Sequence, residues 1–233
     1  MASETLNRIE STLASSGLIL RGAFHPERAD AVPARTDRHP TGTLVLIGNA
    51  GPEMFAAFTR DVASDPDIER PDPLDTWTRE KLAEVSKTMD AEFLHVSDGP
   101  PYHPFQRWAM RAEGLKPSPI GVLVHPEFGP WHAYRGALLL AEKLDIPPPP
   151  DLGASPCETC EDKPCQTTCP VWAIGGEIYD VPVCARHVST EGIDCRDGGC
   201  LARRACPVGW QWAYEEKQAR FHMSAFLTAH GGS

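Results

Sequence analysis

Eight cysteines are the residues of this 233-residue chain best suited to chemistry, and all of them lie beyond residue 156. They fall as two quartets: Cys157, Cys160, Cys165 and Cys169, closed by Pro170, then Cys184, Cys195, Cys200 and Cys206, closed by Pro207. Eight thiolates is the ligand count of two cubane [4Fe-4S] clusters, and in the two-cluster pattern the cysteine before proline ligates the cluster of the other half. That logic puts Cys157, Cys160, Cys165 and Cys206 on one cluster and Cys169, Cys184, Cys195 and Cys200 on the other. The usual run leaves two residues between its second and third cysteines, whereas here Glu161 to Pro164 intervene. The second quartet is looser still. Loops can absorb such insertions, so the count constrains the reading more than the partition does. A single cluster, a structural zinc site and disulfides remain the alternatives; the missing second CxxC of a zinc ribbon and the two Cys-Pro ends favour iron.

A module of this kind needs only about 60 to 80 residues, so the part ahead of it must supply something else. The N-terminus MASETLNRIESTLASSG has neither the basic start nor the apolar centre of a secretory signal. A cytoplasmic, reducing location is therefore expected, which disfavours structural disulfides. With 22 Lys and Arg against 32 Asp and Glu, net charge −10, a broad nucleic-acid footprint is not expected. No apolar run approaches the roughly 18 residues of a membrane span.

The elements that must position these groups read as a mixture of strands and helices without regular alternation, an α+β pattern. Leu6, Ile9 and Leu13 share a helical face after Ser3, a helix that Gly17 stops, and LILRGAF follows as a strand. TLVLIG (43–48) reads as a buried strand running into the turn Asn49 to Pro52 and the helix EMFAAFTRDV. Asp72 is placed to cap the helix PLDTWTREKLAEVSKTM, and AEFLHV and PIGVLVH read as further strands. The state of YRGALLLAEKL stays open on periodicity. Four prolines at 147–150 mark the domain boundary, giving 1–146 and 147–233. Near the C-terminus, Trp210, Ala213, Tyr214 and Phe221 have helical spacing.

Three strings, LVLIGNAGPEMF (44–55), DPLDTW (72–77) and IGVLVHPEFGPWHAYRGALLL (120–140), resemble in order and spacing the cobalamin-processing CblC family. The resemblance spans roughly residues 40–140, with HPxFGxWxAxRG its most specific part. It implies a flavin-nitroreductase-like α+β core that binds cobalamin with its lower base displaced and removes the upper ligand. The appended module is similar to that of epoxyqueuosine reductases and reductive dehalogenases, which join a related cobalamin-binding core to a C-terminal ferredoxin-like iron–sulfur module.

On this resemblance the corrin contacts fall on His125, Gly129, Trp131, Tyr134 and Arg135, and on Asn49 and Gly51 at the strand-to-helix turn. Glycine would admit close backbone approach to a planar ligand, Trp and Tyr flat contact, and Arg135 a partner for an acid or propionamide oxygen. The plainer readings are a core aromatic for Trp131, a hydrogen-bonded histidine for His125 and a simple helix start for Asn49 and Gly51. Tyr102 and His103 are similar to the Asp-Tyr-His stretch carrying the proton donor of epoxyqueuosine reductases, but the aspartate, Asp98, is four residues upstream of Tyr102; a packed Pro-rich loop is their plainer role. The expected function is a cobalamin-binding iron–sulfur reductase passing electrons from an external donor (ferredoxin, flavodoxin or reductase) through two [4Fe-4S] clusters to a base-off corrinoid, with reductive removal of its upper ligand. The rivals are a reductase that keeps cobalamin as cofactor for an organic substrate, a non-enzymatic electron-transfer or corrinoid-trafficking protein, and a core that holds flavin.

Overall fold

The computed structural model describes residues 2–64, 71–175 and 179–231. In chain order the elements are α1 (Ala2–Leu13), β1 (Ile19–Phe24), β2 (Thr43–Ala50), α2 (Glu53–Ala63), α3 (Pro73–Met89), β3 (Glu92–His95), α4 (Phe105–Glu113) and β4 (His132–Leu140). After these come α5 (Pro156–Thr159), α6 (Pro164–Thr167), α7 (Val181–Val188), α8 (Asp194–Asp197), α9 (Leu201–Arg204) and α10 (Glu216–His230). Among the described residues no helix is long and apolar enough to cross a membrane.

The chain divides into two compact units, Met1–Leu115 with His132–Asp151, and Lys116–Trp131 with Leu152–Ser233. The first is built on an antiparallel sheet in the order β1-β2-β4-β3. Every residue of β2 is buried, as a central strand covered on both faces requires, which is why TLVLIG reads as a continuous apolar run rather than an alternating one. The open YRGALLLAEKL segment resolves as β4, paired to β2 from Thr43↔Leu140 to Ala50↔His132.

Two irregularities flank β2. On β1 the register passes from Leu20↔Ile47 to Ala23↔Val45, so Arg21 and Gly22 share the span of one partner residue, and Gly22 takes φ +90°. On β4 it passes from Ile47↔Gly136 to Gly48↔Tyr134, leaving Arg135 as the extra residue. Bulges re-aim side chains, and here the two re-aimed residues are arginines.

The second unit holds a segment that the sequence assigns to the first domain. The expected boundary at 146/147 follows the prolines, whereas 116–131 packs with the cysteine unit. Ile120 lies against the buried cluster of Cys169, Ala173, Ile174 and Ala202, Lys116 pairs with Glu158 at 2.8 Å, and Arg203 donates through Nε and Nη2 to the Pro130 carbonyl. PIGVLVH is not a strand. It contributes only the isolated bridges Pro117↔Leu123 and His125↔Gly129, because Pro117 and Pro119 have no N–H to offer a ladder and Ser118 donates instead to the Val122 carbonyl.

Local expectations also shift at several termini. α1 begins at Ala2, ahead of Ser3. Asp72 occupies the N-cap of α3 but its side chain makes no capping bond. β2 runs on to Ala50, so Asn49 is a strand residue rather than a turn residue. At the C-terminus Trp210–Trp212 form a 3-10 turn and α10 starts only at Glu216, so Trp210, Ala213, Tyr214 and Phe221 do not share one helix face.

Candidate functional site

Short helices separated by tight turns carry the cysteines. Ser155 caps α5, its hydroxyl accepting from the Cys157 amide at 3.3 Å, and Pro156 occupies the first turn, where the missing N–H costs nothing. Pro164 opens α6 in the same way. The turns bring Cys157, Cys160 and Cys165 to one cavity of about 410 Å³, mouth included, whose fourth thiol is Cys206. The remaining wall is apolar, from Pro156, Ile120, Val124, Pro164, Pro207 and Val208.

Cys169 sits elsewhere, in a buried cluster against which Cys184 and Cys200 pack. Burial pushes the Cys195 thiol up, and the neighbouring Cys200, Cys184 and Cys169 add to it. The thiols therefore stand as Cys157, Cys160, Cys165, Cys206 and as Cys169, Cys184, Cys195, Cys200. In the first group too, burial and then the neighbouring thiols Cys206, Cys157 and Cys160 push Cys165 up. Tyr179 donates its phenol hydrogen to Cys184.

Among the described residues no three His, Cys, Asp or Glu side chains stand so as to hold a single metal ion. Four soft donors around one apolar cavity are the donor set iron–sulfur clusters use. Burial raises the pKa of Cys157, Cys165 and Cys206, the penalty for ionising thiols in an apolar wall, which the positive charge of bound iron would offset.

Of the expected corrin contacts, His125, Gly129 and Trp131 belong to the second unit. The Nδ1 of His125 accepts from the amides of Glu127 at 3.1 Å and Phe128 at 3.2 Å, and its ring stacks on Phe128 with centroids 4.3 Å apart. Gly129 has φ +58°, and a Cβ there would collide with the Val208 carbonyl. Its close backbone approach is thus to its own chain rather than to a planar ligand. Trp131 is buried, with the Arg203 guanidinium 5.3 Å from its ring and Tyr214 edge-on at 5.6 Å.

Asn49, Gly51, Tyr134, Arg135, Tyr102 and His103 belong to the first unit. Arg135 donates from Nε to the Asn49 Oδ1 at 3.0 Å. Asn49 is fully buried, and its Nδ2 has no hydrogen-bond partner. Gly51 takes φ +64°, which turns the chain from β2 into α2. Tyr102 is 67% exposed, and His103 stacks on Trp108 with centroids 5.8 Å apart. Asp98 accepts from the His95 amide and from Arg79, both at 2.7 Å; burial works to raise its pKa, but these bonds win and hold it low. It is a structural carboxylate.

Sequence reasoning missed a buried polar cluster. Arg21, aimed inward by the β1 bulge, donates bidentately to Glu113 from Nε at 2.8 Å and Nη2 at 3.1 Å, and its Nη1 lies 3.1 Å from His132 Nδ1. Tyr134 donates its hydroxyl to Glu113 beneath the Arg21 guanidinium. Burial first, and the Glu113 charge with it, push the pKa of that phenol up. The one available signal was a charge inside the apolar strand LILRGAF, since a buried charge requires a partner.

No protein-family model and no curated protein matches the sequence. Among solved structures, the B12-trafficking protein CblC of C. elegans, a homologue of human MMACHC, superposes with a TM-score of 0.52 at 15% identity over 99% of this chain and 97% of its own. The chain has a CblC-like fold. Epoxyqueuosine reductase from Streptococcus thermophilus follows with a TM-score of 0.51 at 14% identity, over 89% of this chain and 66% of that one. An epoxyqueuosine reductase bound to a modified tRNA stem loop gives the same score and identity over 90% and 66%. The CblC-like fold accounts for the mixed helices and antiparallel sheet, and at these identities it speaks for the fold alone.

Proposed function

We propose that this protein is a cobalamin-handling iron–sulfur reductase, with two [4Fe-4S] clusters that relay electrons from an external donor to a base-off corrinoid whose upper ligand is removed reductively. The observation that carries the reading is the gathering of Cys157, Cys160, Cys165 and Cys206 around one apolar cavity. Three of these close a short local run and the fourth comes from 41 residues beyond Cys165, an arrangement that local disulfide chemistry does not require. Cys169, Cys184, Cys195 and Cys200 would hold the second cluster.

When bound, such clusters supply single-electron transfer at potentials set by hydrogen bonds to sulfur and by exposure. This chain's own residues do the rest. The prolines and valines around the first quartet exclude water, and Tyr179 donates to the Cys184 sulfur of the second. Corrinoid binding is supported by the CblC-like fold and by Asn49, whose unpartnered Nδ2 is a buried donor that a ligand carbonyl would satisfy. Arg135 fixes the Asn49 amide so that this donor is the one left over.

The similarity to epoxyqueuosine reductases in fold supports a second reading, in which the corrinoid stays bound as cofactor while an organic substrate is reduced. Anaerobic reconstitution with iron and sulfide, followed by titration of a corrinoid under reducing conditions, tests both. Eight irons per chain, a corrinoid spectrum shifted to the base-off form and loss of the upper ligand are expected. Zinc in place of iron, or a corrinoid spectrum unchanged by the protein, would overturn the proposal, and turnover of a small molecule with the corrinoid retained would select the second reading.

A further inference from the structure

The second unit contains another cavity, of about 520 Å³ with its mouth, whose lining includes Trp131, Trp210, Tyr214, Arg203, His222 and Cys200. The buried side-chain atoms left without hydrogen bonds concentrate in this unit. Trp131 Nε1, Trp212 Nε1, the Tyr214 hydroxyl and both amide atoms of Gln218 have none. Native interiors leave few such groups, and each calls for an explanation. Two of them, on Trp131 and Tyr214, belong to residues that line the cavity, and Trp131 is only 4% exposed.

The chemistry of the lining selects the ligand. An indole N–H can only donate. Arg203 lies over the rings of Trp131 and Tyr214, at 5.3 and 4.6 Å, and spends Nε and Nη2 on the Pro130 carbonyl; among the described residues no carboxylate is paired with it. Its neighbour Arg204 is neutralised by Asp194. The cavity thus offers donors and the Arg203 charge, with Arg204 and His222 in the same lining, and asks for an anionic acceptor. Trp210, Met223, Ala213 and Ala219 ask for an apolar body.

We propose that this cavity binds a small aromatic carboxylate, its ring between the aromatic walls and its carboxylate on Trp131 Nε1, the Tyr214 hydroxyl and the Arg203 charge. Because Cys200 also lines the cavity, the ligand lies beside the second thiol quartet.

Calorimetric titration of the full chain with benzoate, acetate and benzyl alcohol tests this. Benzoate binds saturably and at least about tenfold more tightly than either control, since a hydrogen bond to a charged group is worth that factor or more. Tyr214→Phe, which keeps the ring and deletes the donor, and Trp131→Phe, which keeps an aromatic face and deletes the indole N–H, weaken benzoate about tenfold apiece while the iron content of the reconstituted protein stays unchanged. Met223→Glu, which places a like charge in the wall, abolishes binding. Absence of saturable benzoate binding, equal affinity for benzyl alcohol, or undiminished affinity in both Phe variants overturns the proposal. Should one Phe variant fail to fold, the other and Met223→Glu decide. Iron content reads the proposed reductase separately, so the two can fail independently.

Discussion

Leu44, Val45, Leu46 and Ile47 of β2 are fully buried in the sheet unit, together with Leu82 and Leu138, whereas the corresponding cluster of the cysteine unit is Cys169, Ala173, Ile174 and Ala202 with a fringe of partly buried neighbours. The sheet unit rests on large aliphatic side chains, each contributing about 1.5 to 3 kcal/mol on burial. In the cysteine unit α5, α6, α8 and α9 have only four residues each, α5 and α6 are led by proline, and the thiol Cys169 is buried among Ala173, Ile174 and Ala202. With the proposed clusters bound, a unit so constructed would draw its stability from them, as small metal domains do, where binding free energy is folding free energy.

Removing that bound group is therefore the strongest test of the contrast. Anaerobic chelation of iron should abolish hydrogen-exchange protection across 116–131, 152–175 and 179–231 while β2 and β4 keep theirs. Cys160→Ala should act in the same direction, with roughly half the iron lost. Equal loss of protection in both units would show that they fold as one.

The sheet unit has its own vulnerable point in the Arg21–Glu113 pair. Glu113→Ala leaves a guanidinium 2% exposed with no carboxylate, which should cost about 3 to 5 kcal/mol. Denaturant melting followed by circular dichroism measures it, and iron content should stay constant. In the cysteine unit, Gly129→Ala forces a Cβ into the Val208 carbonyl at a positive φ, with a cost on the order of 1 to 3 kcal/mol. Its signature is lost protection in 116–131 with the sheet intact.

The smallest effect is a pH dependence confined to the sheet unit. His95 is fully buried; its Nδ1 accepts from the Ser97 amide at 3.2 Å, so the other nitrogen, Nε2, carries the proton and donates to Thr78 Oγ1 at 2.8 Å. Burial first of all depresses its pKa below the ordinary imidazole value. The neutral form's contribution is thus complete above the unfolded pKa of about 6.5 and is lost as pH falls from there through the folded value, at no more than about 1.4 kcal/mol per pH unit. The midpoint of sheet unfolding should drop by a few degrees between pH 7.5 and 5.5, and His95→Gln should flatten the profile.

Much of this contrast was legible in the chain before folding. The eight cysteines, their two Cys-Pro closures and their confinement beyond residue 156 are facts of order and spacing. The buried strand over 43–48 and the helix over 73–89 follow from local apolar pattern, which short-range sterics and hydrogen bonding translate directly into elements. Tertiary structure decided what depends on residues far apart in sequence: Arg21 meeting Glu113, 92 residues away, Gly129 lying on Val208, segment 116–131 packing with the cysteine unit, and the cavity on which Trp131 and Tyr214 converge. Such pairings answer to burial and charge compensation summed over the whole unit, and a local window of sequence carries neither.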